Sequence, residues 1–166
     1  NILKDLTRIS YASFLIDLTE QVYKQCNSTD VYNLLISALV KINEGYDASV
    51  ITNILELKFL DFLGVMPIID RCSNCGKTSG IVTLDSSRGG YICSNCYKNE
   101  KIVSDKTIKL IRMYYYVDIS KITKLEVSKK CKLEINSFLD DYYDRYTGLY
   151  LKSKSLINNL SKVELM

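Results

Sequence analysis

Residues 72–96 read Cys72-Ser-Asn-Cys75-Gly-Lys-Thr-Ser-Gly-Ile-Val-Thr-Leu-Asp-Ser-Ser-Arg-Gly-Gly-Tyr-Ile-Cys93-Ser-Asn-Cys96: two Cys-x-x-Cys pairs seventeen residues apart. That interval lies within the spacing of four-cysteine zinc sites. Each pair can hold a metal only if the backbone turns sharply and aims N–H groups at sulfur. Ser73, Asn74 and Gly76, echoed by Ser94 and Asn95, permit such turns. Ile81–Leu84 and Gly90–Cys93 read as two short strands joined through Asp-Ser-Ser-Arg-Gly-Gly, a hairpin that brings the knuckles together. The spacing thus predicts Cys72, Cys75, Cys93 and Cys96 around one Zn²⁺. With four sulfur ligands no position remains for an activated water, so the expected ion is structural. A hairpin this short builds no core of its own, and the metal supplies its folding free energy. Four thiolates leave a site charge of −2, which Arg71, Lys77 and Lys98 stand close enough in sequence to offset. Two disulfides would leave Cys26 and Cys131 as unpaired extras, and these two read instead as packing or helix-end thiols. Rubredoxin-like iron remains chemically allowed.

Outward from the cysteines the pattern is helical. Leu6, Ile9, Ser13 and Ile16, with Leu15, Leu18 and Val22 beside them, predict a helix from Leu3 to Val22. Ser28, Thr29 or Asp30 can cap a second helix carrying Val31, Leu34, Leu35, Ala38, Leu39 and Ile42, with Gly45 just past its end. Asp47 precedes a third, Ala48–Leu63, which has almost no polar face and is expected at the buried centre. Gly64 suits a left-handed C′ position, and Pro67 forbids continuation. Beyond the hairpin, Ser104 or Asp105 caps a fourth helix and a short helical piece covers Ile119 to Leu125. Ser128 caps a long helix bearing Leu133, Ile135, Phe138, Leu139, Tyr142, Tyr143 and Tyr146, and Leu149 to Leu160 adds a last one. The fold class is mainly α: a helical bundle, residues 1–69 and 102–166, with an inserted four-cysteine zinc-ribbon β-hairpin at 70–101.

Composition narrows the function. At 47% hydrophobic and 25% charged residues, the chain has the make-up of one globular domain. Asp17, Glu20, Lys41, Lys58 and Asp61 interrupt every apolar run before membrane-spanning length, and Asn1 to Ser10 has neither part of a signal peptide. The absence of histidine removes the commonest general base and every Ser-His or Cys-His pair. No phosphate-binding loop or dinucleotide fingerprint is present, and the chain reads as a non-enzyme. Charge is uneven: residues 101–132 hold nine Lys or Arg against three Asp or Glu, which favours a polyanionic partner.

The order of these motifs resembles the C-terminal region of the bacterial RecO recombination-mediator family. The likeness starts at Asp5-Leu-Thr-Arg-Ile-Ser-Tyr-Ala-Ser-Phe14 and is sharpest over Leu57-Lys-Phe-Leu-Asp-Phe-Leu-Gly-Val-Met-Pro67 and Asp70-Arg-Cys72. It resumes at Gly89-Gly90 and Val103-Ser-Asp-Lys-Thr-Ile-Lys-Leu-Ile111, and closes from Tyr143 to Ser153. The resemblance implies a helical bundle with a zinc ribbon, preceded in the family by an OB-fold domain; a chain opening on Asn1 therefore reads as a fragment. It further implies binding and annealing of single- and double-stranded DNA and contact with RecR and with the C-terminal tail of single-strand-binding protein. These serve to load RecA in the bacterial cytoplasm, associated with the nucleoid.

The residues that could meet DNA or an acidic tail are Lys106, Lys109, Arg112, Lys121, Lys124, Lys129, Lys130, Lys132, Arg145, Lys152 and Lys154. Cations gain by displacing counterions from phosphates, although any single lysine at a helical position can equally be a solvated face. Tyr114, Tyr115 and Tyr116 offer a stacking surface beside Arg112, although consecutive helical residues point in different directions. Two alternatives compete. One is a fragment of a nucleotide- or phosphate-handling enzyme that uses the ribbon as a clip, with Asp140, Asp141 and Asp144 as its weak acidic candidates. The other is a zinc module that binds only protein.

Overall fold

A computed structural model describes residues 2–164. Asn1, Leu165 and Met166, the outermost positions of the expected helical unit, lie outside the described residues. In chain order the elements are α1 (Ile2–Cys26), α2 (Asp30–Asn43), α3 (Ala48–Phe62), β1 (Ile81–Asp85), β2 (Gly90–Cys93), α4 (Asp105–Tyr116), a 3-10 turn (Ile119–Lys121), α5 (Lys129–Tyr146) and α6 (Lys152–Glu164).

The bundle is organised around α3. Ten of its fifteen residues are buried, including the polar Thr52, Asn53 and Glu56, and it packs against α1, α2, α4 and α5. Fully burying each Ile, Leu or Phe side chain contributes roughly 1.5–3 kcal/mol, so a helix apolar on every side is stable only in the middle of others. Its ends are fixed locally. The Asp47 carboxylate accepts from the Ser49 N–H at 3.0 Å and the Val50 N–H at 3.3 Å. At the other end Gly64 turns left-handed, φ 73°, and the Val65 N–H returns to the Leu60 carbonyl at 3.0 Å. Two tyrosines of α5 close the centre: Tyr143 donates to the Glu56 carbonyl at 2.6 Å and Tyr142 to the Val65 carbonyl at 2.7 Å.

The structure chooses between helix faces that periodicity leaves open, and it corrects the expected cap of α2 and the extent of the piece after α4. On α1 the stripe Leu6, Ile9 and Ile16 faces solvent; Tyr11, Phe14, Leu15, Leu18 and Val22 form the buried face. The two stripes have equal helical periodicity, and the neighbours α2, α3 and α6 select between them. Leu133 is likewise 50% exposed although it continues the apolar series of α5. No side chain caps α2: Thr29 takes the N-cap position in a helical conformation, and Ser28 instead accepts a 3.4 Å bond from the Asp30 N–H. The piece expected over Ile119–Leu125 shrinks to the 3-10 turn, where Asp118 binds the Ser120 N–H at 3.0 Å. By contrast, Ser104 and Ser128 cap α4 and α5 through the N–H groups of Thr107 and Cys131.

Strands β1 and β2 pair antiparallel, with Thr83 opposite Ile92, Leu84 opposite Tyr91, and an irregularity between Ile81 and Thr83. The incoming chain crosses this hairpin at one point. Ile68 bridges to Gly90, its N–H donating to the Gly89 carbonyl at 2.9 Å and its carbonyl accepting from the Tyr91 N–H at 2.8 Å. A Cβ at position 90 would lie 2.1 Å from the Ile68 oxygen, so only glycine fits the crossing.

Candidate metal centre and basic face

Each cysteine pair sits on its own tight turn. The Gly76 N–H returns to the Cys72 carbonyl at 2.9 Å, and the Cys96 and Tyr97 N–H groups return to the Cys93 carbonyl at 3.1 and 2.9 Å. The hairpin then lays the turns side by side: the sulfurs of Cys72, Cys75, Cys93 and Cys96 all lie within 4.8 Å of one another. A tetrahedral zinc bound at about 2.3 Å requires sulfurs about 3.8 Å apart, and Cys75 and Cys93 stand at 3.6 Å. All six cysteines are free thiols, so the disulfide alternative is not what the structure shows. N–H groups also reach the sulfurs, the Cys93 N–H 3.4 Å from the Cys72 sulfur and the Asn74 amide 3.2 Å from that of Cys96. Burial pushes the Cys72 thiol up, but N–H groups of Cys75, Cys93 and Asn74 outweigh it and bring it down to about 6. Cys75 is drawn down by the Lys77 N–H yet driven to about 11 by the neighbouring sulfurs. Four mutually repelling thiolates ionise together only around a cation, so the donor set fits a structural metal. Cys26 and Cys131 stand outside the cluster.

The hairpin is moored to the bundle at its turn. Tyr146 donates to the Ser86 carbonyl at 2.7 Å, Ser86 bonds to Asp141, and Tyr91 donates to the Ile108 carbonyl of α4. Arg88 pairs with Glu100, and Thr83 donates to the Lys101 carbonyl at 2.6 Å where the chain leaves the ribbon. Ile69, Leu84 and Tyr91 belong to the same apolar cluster as α3, so the hairpin borrows the core it cannot build. Its knuckles face outward: Cys75 is exposed and Cys96 half-buried, whereas Cys72 and Cys93 are buried.

The eleven basic residues separate by environment. Lys154 is turned inward: its side chain is 11% exposed and pairs with Glu56 and, at 3.3 Å, with Asp140. Burial works against this cation, but the two carboxylates outweigh it and hold its pKa above the ordinary lysine value. Lys154 is therefore removed from the candidate nucleic-acid set. Arg145 is tied to Asp141 at 2.7 Å, close to the hairpin turn, and Lys132 to Asp47 at 2.8 Å. Lys121 is 82% exposed and 3.6 Å from Asp118, and Lys152 lies over the Tyr150 ring. Lys106, Lys109, Arg112, Lys124, Lys129 and Lys130 are exposed. Of the three tyrosines, Tyr114 is fully buried and cannot stack on a base; Tyr115 donates to Asp61 at 3.1 Å. Tyr116 is 65% exposed beneath the Arg112 guanidinium. The acidic trio is also divided: Asp140 and Asp141 are held by Lys154, Asn158, Ser86 and Arg145, while Asp144 is exposed.

The first turn of α5 stands between two hollows. On one side, a groove of about 370 Å³ has an apolar floor of Leu110, Met113 and Val127 with Lys106 and Lys109 at its edge. On the other, a cavity of about 500 Å³ opens between α1, the α2–α3 turn and α5. Lys129 and Lys132 line that cavity together with Lys4 and Arg8, which sequence reasoning missed. Those two belong to the net acidic first part of the chain, and only the packing of α1 brings them to α5. The cap residues were the usable signal: Asp47 and Ser128 fix where α3 and α5 begin, hence which side chains meet there.

Residues 3–155 match the family model described as Recombination protein O C terminal. The chain is 33% identical over 165 residues to the DNA repair protein RecO of Bacillus pumilus, covering 97% of this chain and 64% of that protein. It is 31% identical over 170 residues to the DNA repair protein RecO of Listeria monocytogenes serotype 4b, covering 100% and 67%. The protein of that name from Bacillus velezensis is 29% identical over 165 residues, covering 97% and 65%. The chain thus spans about two thirds of the length of the curated relatives it matches.

Proposed function

The chain belongs to the recombination protein O family, and on that premise we propose that it is a non-catalytic DNA-repair and recombination domain that binds the phosphate backbone of single- and double-stranded DNA. The observation that supports this reading is that Lys4, Arg8, Lys129 and Lys132 line the hollow on one side of the first turn of α5, and Lys106 and Lys109 line the groove on its other side. Each cation placed on a phosphate releases condensed counterions, so six such residues give affinity that falls steeply with salt and ignores sequence. The four cysteines hold a structural zinc ion, which supplies folding free energy to the hairpin and no chemistry to a substrate. Tyr91 and Ser86 of the hairpin, with Tyr146 of α5, set where the hairpin stands on the bundle.

The family resemblance supplies the partners of this reading: annealing of complementary strands, contact with RecR and with the tail of single-strand-binding protein, and loading of RecA in the bacterial cytoplasm. The groove over Leu110, Met113 and Val127 offers an acidic tail with an apolar end an apolar floor and two lysines against the single carboxylate of Glu126. Fluorescence anisotropy with a labelled oligonucleotide at two salt concentrations tests the DNA reading. The triple variant Lys106→Glu, Lys109→Glu, Lys129→Glu should lose at least tenfold in affinity and flatten the salt dependence. Equal binding by variant and parent would remove the basic end from the interface.

A further inference from the structure

We propose that the cavity between α1, the α2–α3 turn and the start of α5 is a nucleotide site, which takes one unstacked residue of a bound single strand. This rests on the DNA-binding reading and adds to it a place for a base. The cavity, about 500 Å³, falls within the roughly 300–1,000 Å³ range of small-molecule sites. Four cations line it, Lys4, Arg8, Lys129 and Lys132, against one carboxylate, Asp47. That carboxylate is already engaged: it accepts from the Ser49 and Val50 N–H groups and the Ser49 hydroxyl, and pairs with Lys132 at 2.8 Å. Hydrogen bonding and Lys132 outweigh the opposing effect of burial and hold its pKa below the ordinary aspartate value, so it stays an anion and the surplus of positive charge persists.

A phosphate alone would need only the cations. This cavity also has an aromatic wall, the half-buried Tyr46, whose ring Lys41 approaches at 5.1 Å, and the half-buried side-chain amide of Asn136; Tyr11 and Asn53 line it as buried residues. Rings that stack and polar groups that bond to base edges are what an unpaired base meets in its binding sites. The amides are held in position by their own N–H groups: Asn53, 2% exposed, donates to Glu56 at 2.8 Å and to Asn136 at 3.2 Å, and Asn136 donates to Asp140 at 3.4 Å and Asn158 at 3.5 Å, so Asn136 meets a base through its oxygen. Arg8 lies across the turn, its guanidinium 3.8 Å from where a Cβ on Gly45 would be. Lys129 belongs to the same first turn of α5 as Lys130, so a strand following the exposed lysines passes the mouth of the cavity.

The test is titration of the zinc-loaded chain with deoxyadenosine monophosphate, deoxyadenosine and inorganic phosphate, followed by amide NMR shifts. The monophosphate should move Gly45, Ser49 and Asn136 and bind at least tenfold more tightly than either fragment, and Tyr46→Ala or Arg8→Ala should each weaken it at least fivefold. A 2-aminopurine within an oligothymidylate should change its emission on binding, and lose that change in Tyr46→Ala. Equal affinity for phosphate and monophosphate would make this an anion site and overturn the proposal. So would shifts at these residues caused only by an acidic peptide, or emission that does not change while the oligonucleotide binds. In that last case the DNA-binding reading stands; if no oligonucleotide binds, that reading fails first.

Discussion

The cysteine hairpin and the basic end of α5 carry the two most conspicuous sets of side chains in the chain, and they are built in opposite ways. In the hairpin Arg88 is paired with Glu100, Tyr91 is bonded to Ile108, and the sulfurs lie within 4.8 Å of one another. At the basic end Lys106, Lys109 and Lys129 are exposed and make no ion pair among the described residues, flanking two open hollows. A region that satisfies itself serves as structure; a region left with surplus charge serves as a surface. The contrast predicts that damage to the first is read as lost order and damage to the second as lost binding.

The largest effect that could break the contrast is in the metal. Structural zinc contributes about 10–16 kcal/mol in zinc-finger peptides, so Cys72→Ser should empty the site by elemental analysis and unlock the hairpin. The far-UV spectrum of the helices should persist. Full metal content in that variant would contradict the four-thiolate centre. Next is the lysine that belongs to neither region. Lys154→Ala leaves Glu56 buried without its cation and should cost about 3–5 kcal/mol in urea unfolding, with DNA affinity of the folded protein unchanged within twofold. A selective loss of binding would return Lys154 to the interface. Gly90→Ala should cost about 2–3 kcal/mol, because the new Cβ meets the Ile68 carbonyl at 2.1 Å and the chains at the crossing must part. A melting temperature equal to the parent's would mean the two chains at the crossing part without cost.

Smaller still is an acid-dependent term near the basic end. Burial raises the Glu134 carboxyl, but bonds from Thr107 and Ser104 prevail and lower it. A carboxylate lowered on folding stabilises above its unfolded pKa, about 4.3, and that contribution disappears as pH falls through the folded value. Glu134→Gln should therefore lose about 1 kcal/mol at pH 7, and that loss should fade as acid titrates the carboxyl; a loss independent of pH would place the effect in packing. The smallest change in stability and the clearest in binding belongs to Lys109→Glu. It should shift unfolding by less than about 0.5 kcal/mol and reduce the salt slope for single strands by about 0.7.

The same contrast explains what was legible in the sequence. The cysteine spacing, the caps Asp47, Ser104 and Ser128, and the breaks at Gly64 and Pro67 are local rules, and the structure follows them at those positions. The fold class and the family followed from their order. What could not be read depends on which helix meets which. Leu6, Ile9 and Ile16 have as good a period as the buried stripe of α1, and no local signal says which neighbours will come. Lys132 and Lys154 resemble the exposed lysines until Asp47, 85 positions away, and Glu56, 98 positions away, are folded against them. Lys4 and Arg8 were overlooked for the converse reason, since a charge count by segment cannot see a cluster assembled from both ends of the chain.

The distance between Glu56 and Lys154 has a consequence for synthesis. When α1 to α5 have left the ribosome, Glu56 lies at the middle of the central helix, and its cation is on a segment not yet made. Burial alone raises that carboxyl, so until α6 arrives the nascent bundle must either keep the acid protonated or keep it wet. Lys154 therefore ends a waiting state. The bundle becomes dry at its centre only after α6 has docked.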